Sequence, residues 1–220
     1  MAGLELVIGN KAYSSWSLRG WLSLKESGQP FEEVRLPLYT EQWEQHIGGL
    51  SPSGRVPVLH HGDTVVWDSM AICEYMRERF PGAVGWPEDP QARAAARSVS
   101  AEMHSGFQHI REEMPFNCRA RIDGLTFSDG ALDDVARARA IWRDCRSVFG
   151  KSGLWLFGSF SIADIMFAPV ALRFITYGVP LEGVEKAYVE TVSSMPAVRE
   201  WCAAAREEKE IIPQYELGKR

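Results

Sequence analysis

Four short stretches of this chain carry side chains whose type and spacing could do chemistry. The first is Tyr13-Ser14-Ser15-Trp16-Ser17-Leu18-Arg19, which stands between a strand end and a helix start. Serine is a good N-cap, so these hydroxyls can simply satisfy orphan amides. They can also stabilise an anion, because the free amides and the macrodipole at a helix start favour negative charge. A thiolate held there would have its pKa lowered from roughly 8.5. A shift of about two units needs roughly 2.7 kcal/mol, which one hydroxyl and a helix end can supply. No cysteine of this chain is near in sequence, so the thiol would come from a ligand.

The second stretch is Ser53-Gly54-Arg55-Val56-Pro57-Val58-Leu59. A proline that opens an edge strand is ordinarily trans. A cis Val56-Pro57 bond would instead turn the Val56 backbone outward, free to pair with an extended peptide. The third is Trp67-Asp68-Ser69-Met70-Ala71-Ile72. Asp and Ser are standard caps, and Ser69 with the local amides could also hold a carboxylate. The fourth, Ser161-Ile162-Ala163-Asp164, has the spacing of a capping box and reads as structural. Pro169, eight residues after Ser161, should bend that helix or end its first half.

Other candidates are weaker. His60 and His61 are neighbours on a strand and turn and face opposite ways, while His104 and His109 are five apart on a helix. Neither pair reads as a metal site. His104, with Met103, Phe107 and Phe116, either borders an apolar pocket or packs in the core. The same two readings apply to Trp16.

These residues need elements to position them. Leu4, Leu6 and Ile8 mark a first strand, and a helical run follows from Ser17 to Glu26. Glu32 to Leu36 reads as a strand, Glu41 to Ile47 as a weaker helix, and Val56 to Leu59 as a strand. A short turn at Gly62 leads to a strand from Thr64 to Trp67. Ile72, Cys73, Met76 and Phe80 then share one helix face. Pro- and Gly-rich residues follow, giving a linker at 82–90. Beyond it the spacing predicts helices over Gln91–Glu113, Gly130–Phe149, Ser161–Tyr177, Leu181–Thr191 and Pro196–Glu208. Leu132, Val135, Ile141, Val148 and Phe149 are the apolar members of the second of these, and the third is apolar nearly all round, as a buried central helix is. An α/β unit over 1–81 and an all-α unit over 91–220 are therefore expected.

Composition fits that picture. The 220 residues are 45% hydrophobic, 24% charged and 11% aromatic, with a net charge of −5, which excludes disordered, collagen-like and disulfide-stapled chains. A pI near 5.6 argues against nucleic acid. No run approaches the ~20 apolar residues of a membrane helix. The start has no basic n-region and the four cysteines are scattered, so reduced thiols and a cytoplasmic location are expected.

In this order and at these distances, the motifs resemble the cytosolic glutathione S-transferases over essentially the whole length. The resemblance rests on SSWSLR, GRVPVL, WDSMAICEYM, the Pro-rich linker and FSIADIMFAPV. It implies a thioredoxin-like domain with a mixed four-stranded sheet, then an all-helical domain. The serine motif is most similar to the zeta class, with its S-S-C-x-x-R pattern. By that likeness Ser14 faces the glutathione thiol with Ser15 beside it, and Gln42 lies near the glycine end. Arg55 and Val56 belong to the binding set, Val56 pairing with the cysteinyl backbone. Asp68 and Ser69 hold the γ-glutamyl end, and Gln108 reaches the ligand. Trp16, His104, Phe107 and Phe116 border the pocket for an apolar electrophile.

The zeta cysteine is replaced by Trp16, which counts against maleylacetoacetate isomerisation and towards conjugation of another electrophile. A glutathione-binding module without turnover is a further possibility. Dithiol chemistry is disfavoured, since Ser14 and Ser17 stand where a redox pair needs Cys. The family implies a homodimer without metal, joined through the helix from Ser69 and the first long helix. Glu74, Arg77 and Arg93 are candidate contacts.

Overall fold

The computed structural model describes residues 3–150 and 153–218. Strand β1 (Leu4–Ile8) leads through a turn into α1 (Ser15–Lys25), followed by β2 (Phe31–Arg35) and α2 (Glu41–Leu50). Then come β3 (Val58–His61), β4 (Thr64–Trp67) and α3 (Ser69–Arg79). The four strands form one mixed sheet in the order β2-β1-β3-β4. β1 pairs parallel to β2 with Leu4 opposite Phe31, and antiparallel to β3 with Leu6 opposite Leu59. β3 and β4 form the hairpin expected from the Gly62 turn. Helices α1 and α3 pack together on the sheet side that faces the rest of the chain, and Leu6, Ile8, Leu18, Leu22, Ile72 and Met76 are fully buried there.

The second unit is helical: α4 (Pro90–Ser105), α5 (Gln108–Glu113), α6 (Asp129–Val148), α7 (Ile162–Thr176), α8 (Gly183–Ser194) and α9 (Pro196–Glu207). A short 3₁₀ turn, Pro213–Tyr215, follows. The central α7 is buried on nearly every face and accommodates Pro169. Around it Trp142 packs against Phe174 and Tyr188, with ring centroids 5.2 and 5.0 Å away. Each such fully buried large side chain contributes roughly 1.5–3 kcal/mol. Arg19 on α1 donates from Nε to the Met166 carbonyl on α7 (3.1 Å), joining the two units.

Two expectations need correction. The helix read as continuous from Gln91 to Glu113 breaks at Gly106 and Phe107. Gly106 caps α4 where a Cβ would stand 2.9 Å from the Glu102 carbonyl oxygen, and Phe107 adopts φ 60°. Arg111 fills the break, donating to the carbonyls of Gly106 (2.9 Å) and Met103 (2.5 Å) left free at the end of α4. Leu132 and Val148, two of the apolar members named for α6, do not join the core and are exposed at 51% and 59%. The candidate intersubunit residues also make contacts within the chain. Glu74 accepts from Trp86 Nε1, Arg77 donates to the Pro81 and Ala83 carbonyls, and Arg93 to those of Pro87 and Glu88. All three pin the segment between α3 and α4.

Candidate functional site

The serine turn is built by β1 running into α1. Ser14 is the N-cap: its Oγ accepts from the Ser17 amide at 3.2 Å and its hydroxyl donates to Ser17 Oγ at 2.8 Å. Ser17 Oγ also accepts from the Gly9 amide (3.0 Å), tying the turn back to the strand. Ser15 begins the helix, and its Oγ accepts from Arg173 Nη2 on α7 at 3.3 Å. Both serines are buried, at 6% and 4% exposure. No acidic residue occupies the first turn of α1.

The residues ahead of Ser14 are held from the far end of the chain. The Glu208 carboxylate accepts from the Lys11 amide (2.7 Å) and the Ala12 amide (2.9 Å), and Arg119 donates to the Glu208 carbonyl. The Tyr13 hydroxyl donates to Glu216 at 2.6 Å and accepts from Arg119 and from the Ile212 amide. Burial and the Glu216 contact raise the Tyr13 pKa, so this phenol is a poor thiolate partner.

Trp16 is half-buried. The Arg19 and Arg111 guanidiniums lie over its ring, 4.7 and 4.8 Å from the centroid, and His104 meets it edge-on at 5.2 Å. Trp16 forms one wall of a cleft of about 310 Å³ whose other walls are Ser53, Arg55, Val56, Pro57, Trp67, Asp68 and Ser69. The cleft therefore draws on the first three stretches singled out in the sequence, the first through Trp16 alone, since Ser14 and Ser15 are buried and not among its walls. The Val56-Pro57 bond is cis. Arg55 is exposed and Val56 half-buried.

Asp68 caps α3 from φ 75°, a conformation uncommon outside glycine. One carboxylate oxygen accepts from the Met70 and Ala71 amides (2.8 and 3.4 Å), and the other meets His104 Nε2 on α4 at 3.0 Å. Burial pushes the Asp68 pKa up, but His104 and the two amides outweigh it and leave the carboxyl below its usual range. Ser69 is 1% exposed, and its hydroxyl has no partner among the described residues.

Several expected site residues lie elsewhere. Phe107 and Phe116 are buried in the core rather than in the walls of this cleft, and Phe116 lies under the Arg173 guanidinium. Gln108 is exposed at the start of α5, not on the first long helix, and its amide donates to the Ser105 carbonyl. Gln42 is exposed on the first turn of α2. Among the described residues no group of three or more His, Cys, Asp or Glu could hold a metal ion, and no helix is long and apolar enough to cross a membrane.

Three arginines, Arg19, Arg111 and Arg173, surround the serine turn, and only Arg19 was named in the sequence, as the end of its first stretch. Arg19 is fully buried, and both of its Nη atoms lack a partner among the described residues. Burial, with Arg111 and Arg173 nearby, holds its pKa well below the usual value. Burial and Arg111 bring Arg173 down to about 9, still a cation at neutral pH. The available signal was an arginine inside the otherwise apolar run from Ile162 to Thr176.

Comparison with protein families matches residues 13–79 to the glutathione S-transferase N-terminal domain and residues 90–204 to the C-terminal domain. The chain belongs to the glutathione S-transferase family. Among curated relatives, glutathione S-transferase 1 of Dianthus caryophyllus is 42% identical over 98 residues, covering 44% of this chain and 43% of the relative. Maleylacetoacetate isomerase of Rattus norvegicus is 34% identical over 136 residues, covering 56% and 62%. The chain thus spans about half the length of the curated relatives it matches. A Burkholderia glutathione transferase homologue, solved with bound glutathione, superposes with a TM-score of 0.69 at 25% identity, over 94% of this chain and 100% of that one. The fold is the glutathione S-transferase one, a thioredoxin-like unit followed by an all-helical unit.

Proposed function

We propose that this chain binds glutathione, holds its sulfur as the thiolate through a serine hydroxyl at the head of α1, and joins it to a small electrophile. The observation that carries the reading is the cleft shared by Trp16, next in sequence to Ser14 and Ser15, the Val56-Pro57 segment and the Asp68-Ser69 helix start. Val56 offers backbone to the cysteinyl unit. The free Ser69 hydroxyl and the amides at the start of α3 suit the γ-glutamyl carboxylate. Gln42 and Arg55 flank the glycine end, and Gln108 is a further contact. The protein supplies position and charge, and the thiolate attacks the electrophilic carbon. The units are 1–81 and 91–220 with a linker at 82–90. The active form is a cytoplasmic homodimer without metal.

The test is titration calorimetry with glutathione, followed by a panel of electrophiles. Ser69→Ala should weaken glutathione binding about tenfold, the worth of one hydrogen bond to a charged group. Binding unaffected by that change would remove Ser69 from the site. Sedimentation should give twice the chain mass of 24.7 kDa.

The relative named maleylacetoacetate isomerase favours a second reading, cis–trans isomerisation of that substrate. Trp16, where the zeta class has cysteine, counts against it. An assay with maleylacetone separates the two. Glutathione binding with no turnover on either test would instead support a non-catalytic module.

A further inference from the structure

The four cysteines are scattered in sequence, but the fold brings two of them together. Cys118 lies on the connection between α5 and α6, and Cys202 lies on α9 beside Trp201. Both segments meet at the turn before α1. The Cys118 amide donates to the Ala12 carbonyl (3.2 Å), and its thiol donates to the Lys11 carbonyl (3.5 Å). Trp201 Nε1 donates to that same Lys11 carbonyl at 2.9 Å. The Cys118 thiol is also in hydrogen-bond contact with the Cys202 sulfur, so its one proton has two acceptors.

The two sulfurs are not equivalent. The contact with Cys118, with the Arg206 and Arg121 guanidiniums nearby, outweighs burial and brings the Cys202 thiol below its ordinary value. The same contact, with burial, pushes Cys118 up. Burial drives Cys73 and Cys145 to about 12, so these two stay protonated and weakly nucleophilic. Cys202 is also the most exposed of the four, at 9%. A thiolate beside a second, protonated thiol is the arrangement in which a first oxidation is captured as a disulfide.

We propose that Cys118 and Cys202 form a reversible redox pair, Cys202 being the sulfur that meets a hydroperoxide and Cys118 the one that resolves it. The Cys202 thiolate attacks the peroxide: an S–O bond forms, the O–O bond breaks, and the leaving oxygen takes up the proton the thiol gave up. The Cys118 sulfur then attacks the Cys202 sulfenic acid: the S–S bond forms, the S–O bond breaks, and the hydroxyl leaves as water with the Cys118 proton. The two thiols are oxidised by two electrons in all and the peroxide is reduced to water or an alcohol. Two equivalents of a small thiol reverse the change. The disulfide withdraws the Cys118 S–H from the Lys11 carbonyl, so the oxidation state is felt at the turn that leads to Ser14.

The experiment treats the full, reduced chain with a small excess of hydrogen peroxide and maps its thiols by peptide mass spectrometry. Free thiols counted after denaturation should fall from the four of the sequence to the pair Cys73 and Cys145. The Cys118 and Cys202 peptides should be joined within one chain, and dithiothreitol should restore all four thiols. Cys118→Ser should leave Cys202 as a sulfenic acid that dimedone labels. Cys202→Ser should slow thiol loss by about tenfold or more. Where either variant fails to fold, the peptide map of the native chain decides alone. Four surviving thiols, a different pairing, a disulfide between two chains, or Cys202 oxidised to the sulfinic acid with Cys118 still free would each overturn the proposal.

Discussion

Helices α1 and α7 both begin at a serine, yet their starts are built for different ends. At α7 the cap is closed on itself. Asp164 accepts from the Ser161 amide (2.9 Å), the Ser161 hydroxyl (2.9 Å) and the Leu156 amide (3.1 Å), and it is fully buried. The negative charge that a helix start favours is supplied from within. At α1 no acid is present in the first turn. The hydroxyls of Ser14 and Ser15 stand there instead, with three guanidiniums nearby. The first arrangement is complete and structural. The second carries no acid in its first turn, which fits the anion site proposed there.

The comparison breaks most visibly if Asp164 is dispensable. Asp164→Ala strips three donors of their acceptor in the centre of the helical unit and should cost roughly 3–5 kcal/mol, read by urea unfolding. A loss under about 1 kcal/mol would place α7 beside α1 as a helix that needs no internal acid.

The two acids at helix starts should also respond to pH in opposite directions. Burial raises Asp164 to about 6, against the pull of its hydrogen bonds. A raised carboxyl favours the folded state fully below the unfolded value near 4, and that contribution is lost as pH rises through 6. The stability of the native chain relative to Asp164→Asn should therefore fall by about 3 kcal/mol between pH 3 and pH 7. Asp68 is lowered, so its contribution is present above pH 4 and lost in more acidic solution. Its pair with His104 is part-exposed, and Asp68→Asn should cost under about 1 kcal/mol at pH 7. Parallel pH trends for the two variants would contradict the assignment.

Ser14→Ala sharpens the contrast from the other side. If Ser14 serves as a cap, its loss should cost about 1 kcal/mol of stability and leave glutathione binding nearly intact.

Much of this was legible because helix caps, turns and alternation are local. The strand and helix order from Leu4 to Arg79, and the Ser161–Asp164 box, follow from nearest-neighbour chemistry. The break at Gly106 was missed because the apolar periodicity of α4 and α5 nearly continues through it. What stops the helix there is the close approach of the Glu102 carbonyl and the reach of Arg111. The arginine cluster was missed for a related reason. Arg19, Arg111 and Arg173 come from three helices, and only tertiary packing brings their charges together. Phe107 and Phe116 were expected at a pocket, yet an aromatic in the core and one on a pocket wall look alike in sequence.

Glu208 and Glu216 join the turn before Ser14 to the last described segment of the chain, across nearly two hundred residues of sequence. Such contacts close the longest loops in the fold, and their entropy is recovered only after nearly everything else has docked. The amides of Lys11 and Ala12 should accordingly share the hydrogen-exchange behaviour of the residues after α9, not that of the α1 interior. The loop that aims the serines would thus be among the last parts of the molecule to set and the first to loosen, so thiolate formation could fail under mild destabilisation while the helical core remains folded.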